Sequence, residues 1–388
     1  MSASDVILGI DRLLSEAFDL VDGKRVGLVT NSSGVNRQLE SSASLLQRAK
    51  GVKLRMLFGP EHGLRASAPD GERVASDTDP ETGLPVYSLY DGDRRPAEAV
   101  LRQLDLLLFD LQDVGARFYT YLYTMSHCME VCAGVDLPFA VLDRPNPIGG
   151  EKIEGNLLDP AFASFVGRYR IPIRFGLTIG ETARLFNQEF GIGANLQVVE
   201  VEGWRRNRYW DQCGLLWVPP SPNMPTPDTA VVYPGMCLFE GTNLSEGRGT
   251  SKPFEQVGAP YVESHRLVKR LRELELPGVR WRPVHFRPEF GKHVGSECHG
   301  AQLHVFDRDA FCPVRTGLEL LVAIKELWPA DFEWRLPASG IHNFDRLMGT
   351  DQVRADIDAG MQVSQLVATW QTDCDRFRSF CEPYRIYR

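Results

Sequence analysis

Glu61 stands directly after an apolar run, residues 53–58, that stops at Gly59-Pro60, and His62 and Gly63 follow it at once. A carboxylate between a proline and a glycine, at the end of a buried strand, is a candidate general acid or base on a stiff loop. The plainer reading is a loop glutamate that caps a helix or faces solvent. The pattern recurs along the chain. Asn31 follows the run 24–29, Asp110 and Asp113 follow 105–109, and Asp143, Arg144 and Asn146 follow 139–142. Carboxylates suit proton transfer, while amides and guanidinium groups suit holding hydroxyls and anions. Asp110 and Asp113 serve equally well as caps for the helix expected behind them. Glu61, Asp110 and Asp113 are therefore the catalytic candidates.

These residues need a frame that delivers them to one place. Apolar runs at 24–29, 53–58, 85–90, 105–109, 139–142 and 196–201 read as strands, with helices expected over 11–17, 41–50, 96–104, 117–133 and 178–190. Thr178 followed by Glu181 is a capping-box pattern that fixes the start of the last of these. Strands alternating with helices predict an α/β, Rossmann-like, mostly parallel sheet with helices on both faces, and such a sheet collects every strand C-terminus on one edge. A polar stretch over 67–83 is too long for a tight connection and is expected to lie over the site. The proline-rich passage 217–227 is either a linker or a rigid loop that presents Asn223. Residues 234–250 place Glu240, Asn243, Glu246 and Arg248 among glycines. Beyond them, helices near 262–274, 317–327 and 361–384 and strands near 281–290 and 301–306 predict a smaller α+β domain. The division is residues 1–250 for the Rossmann-like catalytic domain and 251–388 for the domain that closes the cleft.

Composition narrows the function. The formal net charge of -8 argues against a nucleic-acid surface and against attraction to anionic membranes. No apolar run approaches the ~18 residues of a membrane span. The first residues lack a basic leader region, which points to the cytoplasm, or to export if a leader had been removed. No GxGxxG follows the first strand, residues 247–252 are not a Walker A loop, and no GxSxG elbow occurs. Those absences disfavour a nicotinamide dehydrogenase, a nucleotidase and an α/β-hydrolase. Histidines 285, 293, 299 and 304, with Cys298 among them, show no ligand spacing, so no metal site is expected. The eight cysteines lack a framework spacing and are expected to be reduced.

Six ordered segments carry a resemblance: LFGPEHGLRA, FDLQDVGARFYTYLYTM, VLDRPNPIGG, EGNLLDP, PPSPNMPT and LFEGTNLSEGRGTSKPFE. Together they resemble the exo-β-N-acetylmuramidases of the NamZ type, a glycoside hydrolase family once known only as a domain of unknown function. The resemblance runs from about residue 24 to the C-terminus. It implies a cleft between a Rossmann-like domain and a smaller one, and release of N-acetylmuramic acid from the non-reducing end of peptidoglycan fragments in cell-wall turnover or recycling. It places the catalytic glutamate in the segment that here holds Glu61. Many members of the family are exported, and the missing leader departs from that. The chemistry fits the residues. Glycoside cleavage needs an acid at the leaving oxygen and, in most families, a second carboxylate, and it demands no cofactor.

The expected partner is a small, muramic-acid-terminated saccharide. The substrate-binding candidates are Asn31, His62, Arg65, Arg117, Asp143, Arg144, Asn146, Asn223, Glu240, Asn243, Glu246 and Arg248. A lactyl carboxylate calls for a placed cation, with Arg144 and Arg248 ahead of Arg65 and Arg117. A non-catalytic amino-sugar or muropeptide-binding protein, or a carboxylate-dependent phosphotransferase or peptidase, would show similar residues at its strand ends.

Overall fold

The computed structural model describes residues 6–66, 77–90 and 92–388. The first sheet contains β1 (Arg25–Thr30), β2 (Lys53–Gly59), β3 (Asp77–Thr78), β4 (Pro85–Ser88), β5 (Leu106–Asp110), β6 (Phe139–Leu142) and β7 (Leu196–Val199). Their order is β3-β4-β2-β1-β5-β6-β7. Every neighbouring pair is parallel except β3 with β4. Without the edge strand β3 this is the doubly wound order, with its switch point between β1 and β5.

Burial on both faces explains why the strands read as unbroken apolar runs. Val26, Leu28, Leu106, Leu108, Ala140 and Leu142 pack on one side, with residues of α1 (Gly9–Ser15) and α2 (Ser42–Arg48). Val29, Phe58, Leu107, Phe109, Phe139 and Val141 pack on the other. There they meet α3 (Glu98–Leu101), α4 (Tyr121–Gly134) and α5 (Ile179–Glu189). Thr178 and Glu181 form the expected capping box at the start of α5.

The second part opens with α6 (Pro227–Met236), followed by β8 (Gln256–Ala259), α7 (Ser264–Glu273), β9 (Val279–Phe286) and β10 (Cys298–Val305). Then come α8 (Pro313–Leu327), α9 (Asn343–Met348), α10 (Gln352–Asp358) and α11 (Val363–Cys381). Its antiparallel sheet has the order β8-β10-β9. α6 lies so close to α8 that a Cβ on Gly235 would sit 1.9 Å from the Pro313 carbonyl oxygen, which leaves room only for glycine. The apolar residues of both parts join in one cluster, from Phe118 and Tyr121 through Tyr233 and Phe254 to Leu303 and Leu318.

Two local features differ from the sequence expectation. The helix expected over 117–133 begins only at Tyr121, because Gly115 is left-handed (φ +77) and the Arg117 amide bonds the Ile173 carbonyl at 2.7 Å. Residues 117–120 are thereby a loop. The proline-rich passage takes the rigid-loop alternative, since the Pro220 carbonyl accepts from Asn31 Nδ2 (2.9 Å) and from the Tyr121 hydroxyl (2.5 Å). It then runs into α6 with Pro227 in the first turn, where the missing N–H costs nothing. Of the polar stretch 67–83, residues 67–76 lie outside the described residues.

Candidate active site

β2 ends at Gly59, and the turn Pro60-Glu61-His62-Gly63 closes with the Gly63 amide bonded to the Pro60 carbonyl at 2.9 Å. His62 has φ 70, at the turn position that favours glycine or asparagine. A side-chain-bearing residue held there is strained backbone of the kind that functional sites retain. The result is a Glu61 carboxylate that is largely buried at the sheet edge. Its Oε2 accepts the Thr120 hydroxyl at 2.6 Å. Thr120 occupies the N-cap place of α4 but makes no cap bond with its side chain. Its hydroxyl, which would usually satisfy a helix amide, is turned to Glu61 instead.

Glu61 opens into a cavity of 110 Å³ shared by both parts of the molecule. The first part contributes Glu61, His62 and the loop Phe118–Thr120, and the proline-rich loop contributes Ser221 and Asn223. Tyr233 on α6, Glu240, Arg248, Phe254 and Leu347 of α9 line it from the second part. An aromatic row holds the walls together, with Phe118 to Tyr233 at 5.3 Å and Tyr233 to Phe254 at 4.8 Å between ring centroids. The Arg248 guanidinium lies 5.1 Å over the Phe254 ring and bonds Glu240 Oε1 at 2.7 Å. Behind it Glu246 is buried, 3.7 Å from Arg248 and 2.8 Å from Lys292. Burial pulls the Glu246 carboxyl upward, but those two cations outweigh it and hold it below the ordinary carboxylate value. Two acids thus face two cations, and the charge around Arg248 balances.

Of the fifteen residues singled out in the sequence, Glu61, His62, Asn223, Glu240 and Arg248 share this cavity. The others lie elsewhere. Asp110 and Arg144 face each other, with Arg144 Nε 2.6 Å from Asp110 Oδ1 and Nη2 3.0 Å from Oδ2. Ser42 bonds the same carboxylate, and Arg144 also donates to the Val35 carbonyl. This pair, at 1–2% exposure, bonds itself and does not line the Glu61 cavity. Asp143 accepts from Thr178, the Gly180 amide and the Tyr387 hydroxyl, and pins the C-terminus to β6. Burial still pushes its carboxyl up to about 6.

Asn146 donates to the Leu177 carbonyl, and Asn243 braces the segment around Asp331 and Glu333. Arg65 pairs with Asp79 at 2.8 Å. Arg117 is fully buried and donates to the carbonyls of Asn156, Ile171, Leu347 and Met348, so it ties α9 to the first part. With no carboxylate partner among the described residues, burial brings its guanidinium down to about 10. Asn31 bonds the Tyr121 hydroxyl and supports the proline-rich loop from below. Asp113 accepts the Gly115 amide, and burial pushes its carboxyl up to about 7.

With this geometry in view, residues 26–228 match the family described as exo-beta-N-acetylmuramidase NamZ, N-terminal, and residues 231–387 match its C-terminal counterpart. The chain belongs to the NamZ family. It is 48% identical over 379 residues to the peptidoglycan beta-N-acetylmuramidase NamZ of Bacillus subtilis (strain 168), which covers 98% of this chain and 91% of that one. Two solved structures of DUF1343 family proteins from Bacteroides fragilis NCTC 9343 share the fold. One is 36% identical with a TM-score of 0.91, the other 30% identical with a TM-score of 0.81, and each covers 99% of both chains. The N- and C-terminal NamZ halves meet inside α6, between Asp228 and Val231.

For this NamZ-family chain, sequence reasoning passes over Thr120, Tyr119 and Ser221. Only the left-handed Gly115 signals that the loop before α4 extends to residue 120. His285 and His299, set aside in the sequence for want of ligand spacing, are brought together across two strands, and Glu297 was not singled out. β9 and β10 pair His285 with His299, their Nδ1 atoms 2.8 Å apart, and Glu297 joins them with all ligand atoms within 4.8 Å. Two imidazoles and a carboxylate suit a divalent transition metal. They line neither this cavity nor the groove that adjoins it at Glu61.

Proposed function

We propose that this chain is an exo-acting β-N-acetylmuramidase that removes muramic acid from the non-reducing end of peptidoglycan-derived saccharides. The observation that carries the reading is Glu61. In a chain that matches both NamZ halves, it is the carboxylate fixed by a strained turn and a Thr120 hydroxyl where two cavities meet. Glu61 protonates the glycosidic oxygen as the bond to the leaving sugar breaks. Thr120 orients the carboxyl group, and the rigid turn keeps it there without reorganisation. Arg248 receives the lactyl carboxylate, held in line by Glu240 and Glu246. Among the described residues Glu240 is the other carboxylate lining the cavity, and we assign it the place of the second carboxylate.

The sugar-binding alternative shares the cavity but has no use for a carboxyl held this firmly in its wall. Incubation with a chromogenic aryl β-N-acetylmuramide separates the two. Release of the aryl alcohol with multiple turnovers is expected, and binding without release would overturn the reading.

A further inference from the structure

Glu61, Thr120 and Val166 line a second cavity as well as the first. This second space is larger, 470 Å³ against 110 Å³. Tyr90, Arg94, Phe165 and Arg346 form its walls. Acid catalysis places the leaving group on the far side of the acid from the terminal sugar, and this groove begins at Glu61 itself. Its charge is one-sided. Besides Glu61, the charged side chains that line it among the described residues are Arg94 and Arg346.

Arg94 lies 4.0 Å over the Phe165 ring and 4.8 Å over the Tyr90 ring. Its backbone is left-handed (φ 55), and its carbonyl meets His127 Nδ1 at 3.1 Å. A strained backbone braced in this way sets the guanidinium at a fixed spot, stacked on rings and with no ion pair among the described residues. Arg346 sits in α9 and is likewise without an ion pair there, bonding the Ser339 hydroxyl at 2.6 Å. Most arginines of this chain that approach a carboxylate pair with it, as Arg144, Arg174 and Arg206 do. Two partly buried arginines without such a partner, in one groove beside the acid, are placed to receive an anion from outside.

We infer that the groove is the leaving-group subsite and that Arg94 and Arg346 bind a carboxylate carried by the leaving saccharide. This rests on the muramidase reading and deepens it. The sugar released with the leaving chain bears no charge in peptidoglycan. The residue after it is again a muramyl unit, with a lactyl carboxylate or a stem peptide that carries its own. The enzyme should then favour oligomers whose leaving part is acidic over a neutral disaccharide.

The test uses four substrates with the same terminal muramic acid. They are an aryl muramide, the disaccharide, the trisaccharide with a free lactyl carboxylate on its last residue, and the trisaccharide with that carboxylate amidated. A fifth, in which the last residue carries a stem peptide, distinguishes a lactyl from a peptide carboxylate. For the native enzyme, kcat/KM on the free-acid trisaccharide is expected to exceed that on the amidated one by roughly tenfold or more, as for loss of a charge-assisted contact. If the peptide supplies the anion, the stem-bearing substrate shows the advantage instead. In Arg94→Gln and Arg346→Gln the ratio of acidic trisaccharide to aryl muramide is expected to fall by a similar factor. Equal rates on acidic and amidated trisaccharides, with the stem-bearing substrate no better, overturn the inference even if no variant folds. The muramidase reading fails separately, by absence of turnover on the aryl muramide itself.

Discussion

Two carboxylates, Asp110 and Glu61, sit on the same edge of the same sheet, and their surroundings differ. At the switch point between β1 and β5, where doubly wound folds commonly bind ligands, Asp110 and Arg144 close on each other. Ser42 and the Val35 carbonyl complete their bonds. One strand over, beyond β2, Glu61 opens to a cavity, with Glu240 and Arg248 across it on the second part of the molecule. The difference lies in who supplies the partner. A carboxylate and guanidinium from neighbouring strand ends can satisfy each other completely and form a plug. Groups brought from separate parts leave space between them, and that space can hold a sugar. Residue type and strand-end placement do not by themselves mark a site; a cavity between the groups does.

That contrast can be broken by substitution. The largest effect belongs to Glu61→Gln, which keeps size and hydrogen bonding but removes the transferable proton. Turnover on a muramyl disaccharide is expected to fall by about 10²–10⁴-fold, while the urea midpoint stays near that of the native protein. Asp110→Ala should do the reverse. It leaves Arg144 buried without its partner, a loss of about 3–5 kcal/mol in urea unfolding, while the folded fraction hydrolyses the muramide with unaltered kcat. A fall in kcat comparable to that of Glu61→Gln would show that the switch point takes part in the reaction.

Asp113 sharpens the comparison through pH. Its carboxyl ionises near 3.8 when unfolded and at about 7 when folded. Between those values the unfolded chain gives up a proton that the folded one keeps, so this group's contribution is full below about pH 4 and is lost as pH rises toward 7. Asp113→Asn has no such loss and keeps an acceptor for the Gly115 amide. Its stability relative to the native protein is expected to rise between pH 4 and pH 8 by up to about 4 kcal/mol. A difference independent of pH would contradict the buried, protonated carboxyl. The smallest effect is selectivity. Arg248→Ala should lower kcat/KM on a muramide by about 1.5–3 kcal/mol more than on a glucosaminide, whereas Arg144→Ala should leave that ratio alone. Equal losses on both substrates for Arg248→Ala would remove the lactyl contact.

Much of the frame was legible because it follows from local pattern. The runs ending at Thr30, Gly59, Asp110 and Leu142 are apolar on both faces, and the Gly-Pro stop after Phe58 exposes Glu61 by itself. Thr120 was hidden, because apolar and aromatic residues from Phe118 to Met125 read as one helix. Whether that helix starts at residue 117 or 121 depends on Gly115 and on a bond to distant Ile173. The partner of Arg144 was hidden for a different reason: its strand-end position is visible in sequence, but the pairing with Asp110 is set by register between β5 and β6. Arg94 lies in a polar stretch with no apolar run to place it, and its stacking on Phe165 joins segments far apart in the chain.

The central claim is that Glu61 gives its proton to the leaving oxygen, and the leaving-group dependence of Glu61→Gln tests it most directly. A nitrophenyl leaving group departs with little help from an acid, while a sugar hydroxyl needs full protonation. The variant's kcat, relative to the native enzyme, is expected to be depressed by about 10²–10⁴-fold on the disaccharide and far less on the nitrophenyl muramide. Equal depression on both substrates would contradict the acid role and assign Glu61 to the attacking side of the reaction.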